Sequence, residues 1–148
     1  MSTAATNILV VEDEAALREL VVEELAAADY VVQAAANGRE ALDRLASSPP
    51  DLVLSDIRMP ELDGFGLLET MRAHFPTLAA TPFIFLTALA DREQMLAGLG
   101  AGADDYITKP IDFDLLLLKV QSRVREAARR RRRGAPGASP LPLPAATA

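Results

Sequence analysis

The chain has 148 residues, half of them hydrophobic, no cysteine and a formal net charge of −6. That length suits one domain with a substantial core, and without cysteine neither disulfides nor thiolate metal sites can form, so packing must supply the stability. No apolar run reaches the roughly eighteen residues of a membrane span, and Met1-Ser2-Thr3-Ala4-Ala5-Thr6 lacks the basic start and apolar stretch of a secretory signal, so a cytoplasmic location is expected. The charge is uneven: setting aside the five consecutive arginines Arg129 to Arg133 takes the balance from −6 to −11. An acidic body argues against nucleic acid as its main ligand.

Apolar runs alternate with helix-like segments along the chain, the pattern of a parallel sheet covered by helices on both faces. The first strand is expected over 7–11 and a helix over 14–28, where Leu17, Leu20, Val21, Leu25 and Ala28 recur at helical spacing. A second strand follows over 30–34. Asn37-Gly38 marks a turn, with Asn37 placed to cap a helix over 38–47 that Ser47-Ser48-Pro49-Pro50 ends. The third strand, 52–55, is apolar almost throughout, as at the centre of a covered sheet. A loop over 57–63 contains Pro60, and a helix spans 64–74. The fourth strand is expected over 82–86, a short helix over 91–100 closed by Gly100, the fifth strand over 103–107, and a last helix from 112 to about 130. Leu115 to Leu118 turn more than one side of that helix apolar, which fits either a wide core-facing stripe or one or two leucines left for a partner. Gly134 to Ala148 carries no charged side chain and four prolines, the composition of a flexible tail or linker. The chain therefore divides into an extension over 1–6, a domain over 7–127, and a basic helix end with a Pro/Ala-rich tail over 128–148.

The strands end in polar residues of different kinds: Glu12 and Asp13 after the first, Asp56 after the third, Thr87 after the fourth, Lys109 after the fifth. Parallel strands put all of these at one carboxyl edge, where ligands bind in open α/β sheets. In the strand order 2-1-3-4-5 the first and third strands are neighbours, so Asp13 comes close to Asp56. Crowded carboxylates call for a cation, and a hard one such as Mg²⁺ suits oxygen ligands. Taken alone, Asp13 and Asp56 fit solvated loop residues as well as metal ligands; for Glu14 and Asp63 the solvated or helix-capping reading is preferred. The hydroxyl of Thr87 and the ammonium of Lys109 at the same edge favour a phosphoryl group beside the metal.

The stretches Ile8-Leu9-Val10-Val11-Glu12-Asp13-Glu14, Asp51-Leu52-Val53-Leu54-Ser55-Asp56-Ile57-Arg58-Met59-Pro60, Asp63-Gly64, Phe85-Leu86-Thr87-Ala88 and Gly102-Ala103-Asp104-Asp105-Tyr106-Ile107-Thr108-Lys109-Pro110 stand in order. On them, residues 7 to 127 resemble a response-regulator receiver domain of two-component signalling, including its single-domain chemotaxis type. The resemblance implies a flavodoxin-like doubly wound (βα)5 three-layer sandwich with a five-stranded parallel sheet. It implies a signalling switch without enzymatic turnover of a separate substrate. Asp56 would accept a phosphoryl group from a phosphohistidine, becoming an aspartyl phosphate. Mg²⁺ would sit on Glu12, Asp13, Asp56 and the backbone carbonyl of Arg58. Lys109 and Thr87 would contact phosphoryl oxygens, Ala88 would leave room, and the Lys109–Pro110 bond would be cis. Arg58 and Leu89 flank the site and would tune water access. Thr87 and Tyr106 would form the switch, read out on the fourth helix, fifth strand and fifth helix. The implied partners are a sensor histidine kinase or phosphotransfer protein, a second copy on that output face, and a downstream output domain or protein.

The residues outside the motifs are read more plainly. The arginine run fits a solvated helix end favoured by the helix dipole, or a hinge to a further domain, and lacks the aromatic residues of a nucleic-acid platform. His74 is expected at the surface. Asp56-Ile57-Arg58-Met59-Pro60 does not supply the Asp-x-Asp-x-Thr of a haloacid-dehalogenase-type phosphatase, and no Gly-x-x-x-x-Gly-Lys loop exists. Two readings on the same scaffold stay open: an adaptor that works without phosphate, and the N-terminal receiver of a truncated transcription factor or signalling enzyme.

Overall fold

In strand β1 (Asn7–Val11) successive side chains enter two different buried layers: Leu9 and Val11 go to one, Ile8 and Val10 to the other. Period-two alternation with both faces apolar requires cover on both sides, and helices supply it. The computed structural model describes residues 5–88 and 92–133. After β1 come α1 (Ala15–Ala27), β2 (Val31–Ala35), α2 (Gly38–Ser47), β3 (Leu52–Asp56), α3 (Gly64–His74), a 3₁₀ turn (Pro76–Leu78), β4 (Phe83–Ala88), α4 (Arg92–Gly100), β5 (Asp105–Lys109) and α5 (Phe113–Arg133). All strand pairs are parallel and the order is β2-β1-β3-β4-β5, as the sequence predicts.

On one face of the sheet Ile8, Val10, Leu52, Leu54, Ile84 and Leu86 meet Val21 and Leu25 of α1 and Leu116 and Val120 of α5. On the other, Leu9, Val53, Phe83 and Phe85 meet Ala41 and Leu45 of α2 and Leu67, Leu68 and Met71 of α3. Each fully buried leucine among them contributes roughly 1.5–3 kcal/mol. Phe83, Phe85 and Phe65 stack edge to face in sequence, with ring centroids 5.1 and 5.3 Å apart.

Several edges differ from the sequence reading. Tyr30 lies before β2, because its amide closes α1 on Leu25 O. Leu20 is 45% exposed, and Ala28 caps α1 from outside the core, so Val21 and Leu25 carry the packing. β4 begins after Pro82 and continues through Thr87 and Ala88, where 82–86 was expected. β5 starts two residues later than expected and includes Lys109; Asp104 precedes it, its carboxylate accepting the Phe83 amide. Asp112 caps α5 by accepting from the Asp114 and Leu115 amides. That helix runs unbroken through the arginines, of which Arg129 to Arg132 are exposed. Asn37 and Asp63 cap α2 and α3 as expected, and His74 is exposed. Leu116 is fully buried and Leu117 packs beside it, while Leu115 and Leu118 are 41% and 62% exposed, so two leucines of the run stand outside the core. Leu89, Asp91, the first four residues and the tail from 134 lie outside the described residues.

Candidate functional site

β1 and β3 are adjacent, with Val11 paired to Ser55, so the chain leaves both strands at the same height. Glu12 and Asp13 therefore arrive beside Asp56. One oxygen of each of the three carboxylates lies within 4.8 Å of the others. Glu12 is fully buried, Asp56 nearly so, and Asp13 is exposed. Lys109 reaches across from the end of β5. Its Nζ stands 3.1 Å from Asp56 Oδ2 and 2.9 Å from Glu12 Oε1. The bond to Asp56 is aligned, and the buried Glu12 Oε1 meets the same ammonium as an ion pair. Glu12 Oε2 accepts from the Glu14 amide at 3.0 Å.

The electrostatics follow from burial. Desolvation pushes the Glu12 carboxyl up to about 7; the Glu14 amide and Lys109 oppose this, and the charge of Asp56 adds to it. Burial acts to lower Lys109, but the two carboxylates outweigh it, and its ammonium is held above the usual lysine range. Glu12 stays raised because one ammonium does not offset two crowded carboxylates and the loss of water together. An oxygen-only set of three carboxylates against one ammonium, with surplus negative charge, fits a hard divalent cation.

The remaining expected residues lie on the neighbouring strands β4 and β5 and in the loop after β3. Thr87 is buried on β4, one position beyond the Asp56–Leu86 pairing, and its hydroxyl donates to Ala88 O at 3.3 Å. Arg58 is exposed in the loop after β3. Tyr106 is half-buried on β5, opposite Phe85, with the Lys119 ammonium 5.2 Å from its ring centroid. Lys119 also donates to Tyr106 O at 2.8 Å and to Asp105 Oδ1 at 3.0 Å. The Lys109–Pro110 peptide is cis. Gly64, where α3 begins, leaves no room for a side chain: a Cβ there would collide with Asp56 O and the Phe85 ring.

Three features were not legible in the sequence: the Lys119 clasp, the close approach at Gly64, and a bond from Arg18 to the Glu12 carbonyl. The Asp63-Gly64 pair signalled a turn but not what it presses against.

The family model of the response regulator receiver domain matches residues 8–121. The chain belongs to that family. This receiver is 44% identical over 119 residues to Regulatory protein AtoC of Escherichia coli (strain K12), covering 80% of this chain and 25% of that protein. It is 42% identical over 119 residues to Response regulator MprA of Mycolicibacterium vanbaalenii, covering 80% of this chain and 50% of that one. The receiver thus spans a quarter to a half of the length of these curated relatives. Chemotaxis response regulator CheY4 of Vibrio cholerae superposes with a TM-score of 0.76 at 31% identity, over 81% of this chain and 99% of that one. The flavodoxin-like fold and the receiver class are those expected from the motifs. No helix among the described residues is long and apolar enough to cross a membrane.

Proposed function

We propose that the receiver is a phosphorylation-dependent switch in which Asp56 takes a phosphoryl group from the phosphohistidine of a sensor kinase or phosphotransfer protein. An Asp56 carboxylate oxygen attacks phosphorus in line with the departing imidazole nitrogen. The P–N bond breaks as the P–O bond forms, and the imidazole takes up a proton. The observation that carries this reading is the buried Asp56 carboxylate facing the Lys109 ammonium at 3.1 Å inside an acidic cluster. Lys109 is placed to follow a phosphoryl oxygen once one is mounted on Asp56, since its flexible stem carries a point charge with three donors. Thr87 rotates its hydroxyl from Ala88 O toward another oxygen. The Glu12, Asp13 and Asp56 carboxylates and the Arg58 carbonyl would hold Mg²⁺, which when bound supplies charge neutralisation for the transferring group.

The signal then leaves through Tyr106. Movement of Thr87 opens space beside β5, and the Tyr106 ring turns inward to fill it. That changes the face made by α4, β5 and α5, where Leu96, Leu99, Leu115 and Leu118 are exposed. The face serves a second copy of the chain or an output domain or protein, and the cytoplasm is where such a soluble exchange with a kinase takes place.

The test is mass spectrometry of the full chain with Mg²⁺ and a small phosphodonor. An adduct of about 80 Da, the mass of one phosphoryl group, is expected in the wild type and absent in Asp56→Ala. No adduct in the wild type would leave the phosphate-independent adaptor as the reading of this fold.

A further inference from the structure

The corner that carries Glu12 and Asp13 is held in an unusual way. Glu14 occupies the cap position of α1, yet its side chain makes no capping bond. The bend is pinned instead around Glu12: its amide donates to Ala35 O at 3.1 Å, its Oε2 accepts the Glu14 amide, and its carbonyl accepts Arg18 Nη1 at 2.8 Å. The last of these brings a side chain of α1 onto the backbone of the corner, whereas Lys109 meets only the Glu12 carboxylate. The Glu12 carbonyl and the Asp13 amide belong to a single planar peptide. A donor that fixes the carbonyl direction fixes that plane, and with it the direction in which Asp13 leaves the strand. Asp13 is exposed, so packing does not hold it in place.

We propose that Arg18 is a positioning residue for the acidic site: its guanidinium, from the second turn of α1, sets the Glu12–Asp13 peptide so that the Asp13 carboxylate faces Asp56. The inference rests on the metal-binding reading of that cluster. It has a distinctive sign. By charge alone a guanidinium near a cation site weakens cation binding, so deleting it should tighten the complex. Acting through geometry, it strengthens binding, and deleting it should loosen the complex, as removal of a group that orients a metal ligand does, by about 10–100-fold.

The experiment is calorimetric titration of the full chain with Mg²⁺, alongside thermal unfolding in chelator. The variants are Arg18→Ala, Arg18→Met, Arg18→Lys and Asp13→Asn. Arg18→Ala should weaken Mg²⁺ binding about tenfold while its unfolding temperature in chelator falls by no more than about 4 °C, the loss of one modest interaction. Arg18→Lys, which keeps a cationic donor, should recover most of the affinity. Unchanged or tighter binding in Arg18→Ala, or no recovery in Arg18→Lys, overturns the proposal. If Arg18→Ala does not fold, Arg18→Met, which keeps the apolar stem without a donor, carries the same expectation, and wild-type affinity in it is equally fatal. A wild type that binds no Mg²⁺, or an Asp13→Asn variant that binds as well as wild type, instead removes the metal reading itself.

Discussion

Lys109 Nζ lies 3.1 Å from Asp56 Oδ2, across 53 residues of sequence and the one strand, β4, between β3 and β5. The pair forms because β3, β4 and β5 are parallel neighbours in register and end at one edge. Lys109 is the cation in contact with both Asp56 and Glu12. Replacing it with Met removes that charge and leaves two buried carboxylates facing each other. Lys109→Met should lose about 2 kcal/mol of stability at neutral pH in chelator, less than the roughly 3–5 kcal/mol of breaking a fully buried pair because the lysine is partly exposed. Urea unfolding checks this. Phosphoryl uptake should slow by at least tenfold in the same variant, as expected when a donor to the transferring group is lost.

The apo protein should lose stability as pH rises from about 4.5 to about 7. Glu12 titrates near 7 in the folded chain against 4.5 otherwise, so between those values the folded state holds a proton that the unfolded state has released. Stability from this group is complete below 4.5 and is lost as pH passes through 7. The raised Lys109 acts only above the ordinary lysine value of 10.5, so it adds no slope in this window. Thermal unfolding in chelator from pH 5 to pH 8 should show a fall that flattens in Glu12→Gln. A wild-type profile that rises over this range would contradict the burial of a protonated Glu12.

Gly64→Ala should be costly despite adding one methyl group. Its Cβ would meet the Asp56 carbonyl oxygen and the Phe85 ring, and neither is the free end of a flexible chain. Overpacking of this kind costs about 1–3 kcal/mol. Because the displaced carbonyl belongs to Asp56, the adduct yield should fall more steeply than stability does. Chemical unfolding and mass spectrometry on one preparation separate the two effects.

Lys119→Met tests how β5 is held in its present conformation. The ammonium binds the Tyr106 carbonyl, the Asp105 carboxylate and the face of the Tyr106 ring. Its loss should cost about 2 kcal/mol, the scale of one charged hydrogen bond and an exposed cation–π contact. Ring resonances of Tyr106 should show broader exchange by NMR. Tyr106→Ala should abolish any phosphorylation-dependent binding of partners while leaving the adduct on Asp56 intact.

The exposed leucines of α4 and α5 predict self-association under activating conditions. Leu96, Leu99, Leu115 and Leu118 form no part of either core layer. Sedimentation velocity with beryllofluoride and Mg²⁺ should show a heavier species that is absent without them and lost in Leu118→Ser. A monomer at all concentrations in both conditions would remove the dimer.

The sequence by itself determined the alternation of strands and helices, the caps at Asn37 and Asp63, and which residues stand at strand ends. These are local matters: side-chain period, capping oxygens and prolines act within a few residues, so they can be read in order. The motif spacing also carried the receiver class and the candidate residues Glu12, Asp13, Asp56, Thr87 and Lys109. Only the tertiary structure decided where strands begin and end. Asp104 looked like part of β5, but its carboxylate takes the Phe83 amide, and Lys109 turned out to be inside the ladder. It alone decided that Leu116 is buried and Leu117 half-buried while Leu115 and Leu118 are exposed, because four consecutive leucines sample every side of a helix and only the position of the sheet selects among them. Arg18 on the Glu12 carbonyl, Lys119 on Tyr106 and Gly64 against Asp56 likewise depend on where separate elements come to rest. Burial of Glu12, and so its affinity for a proton, depends on the neighbours that exclude water from it, most of them distant in the chain.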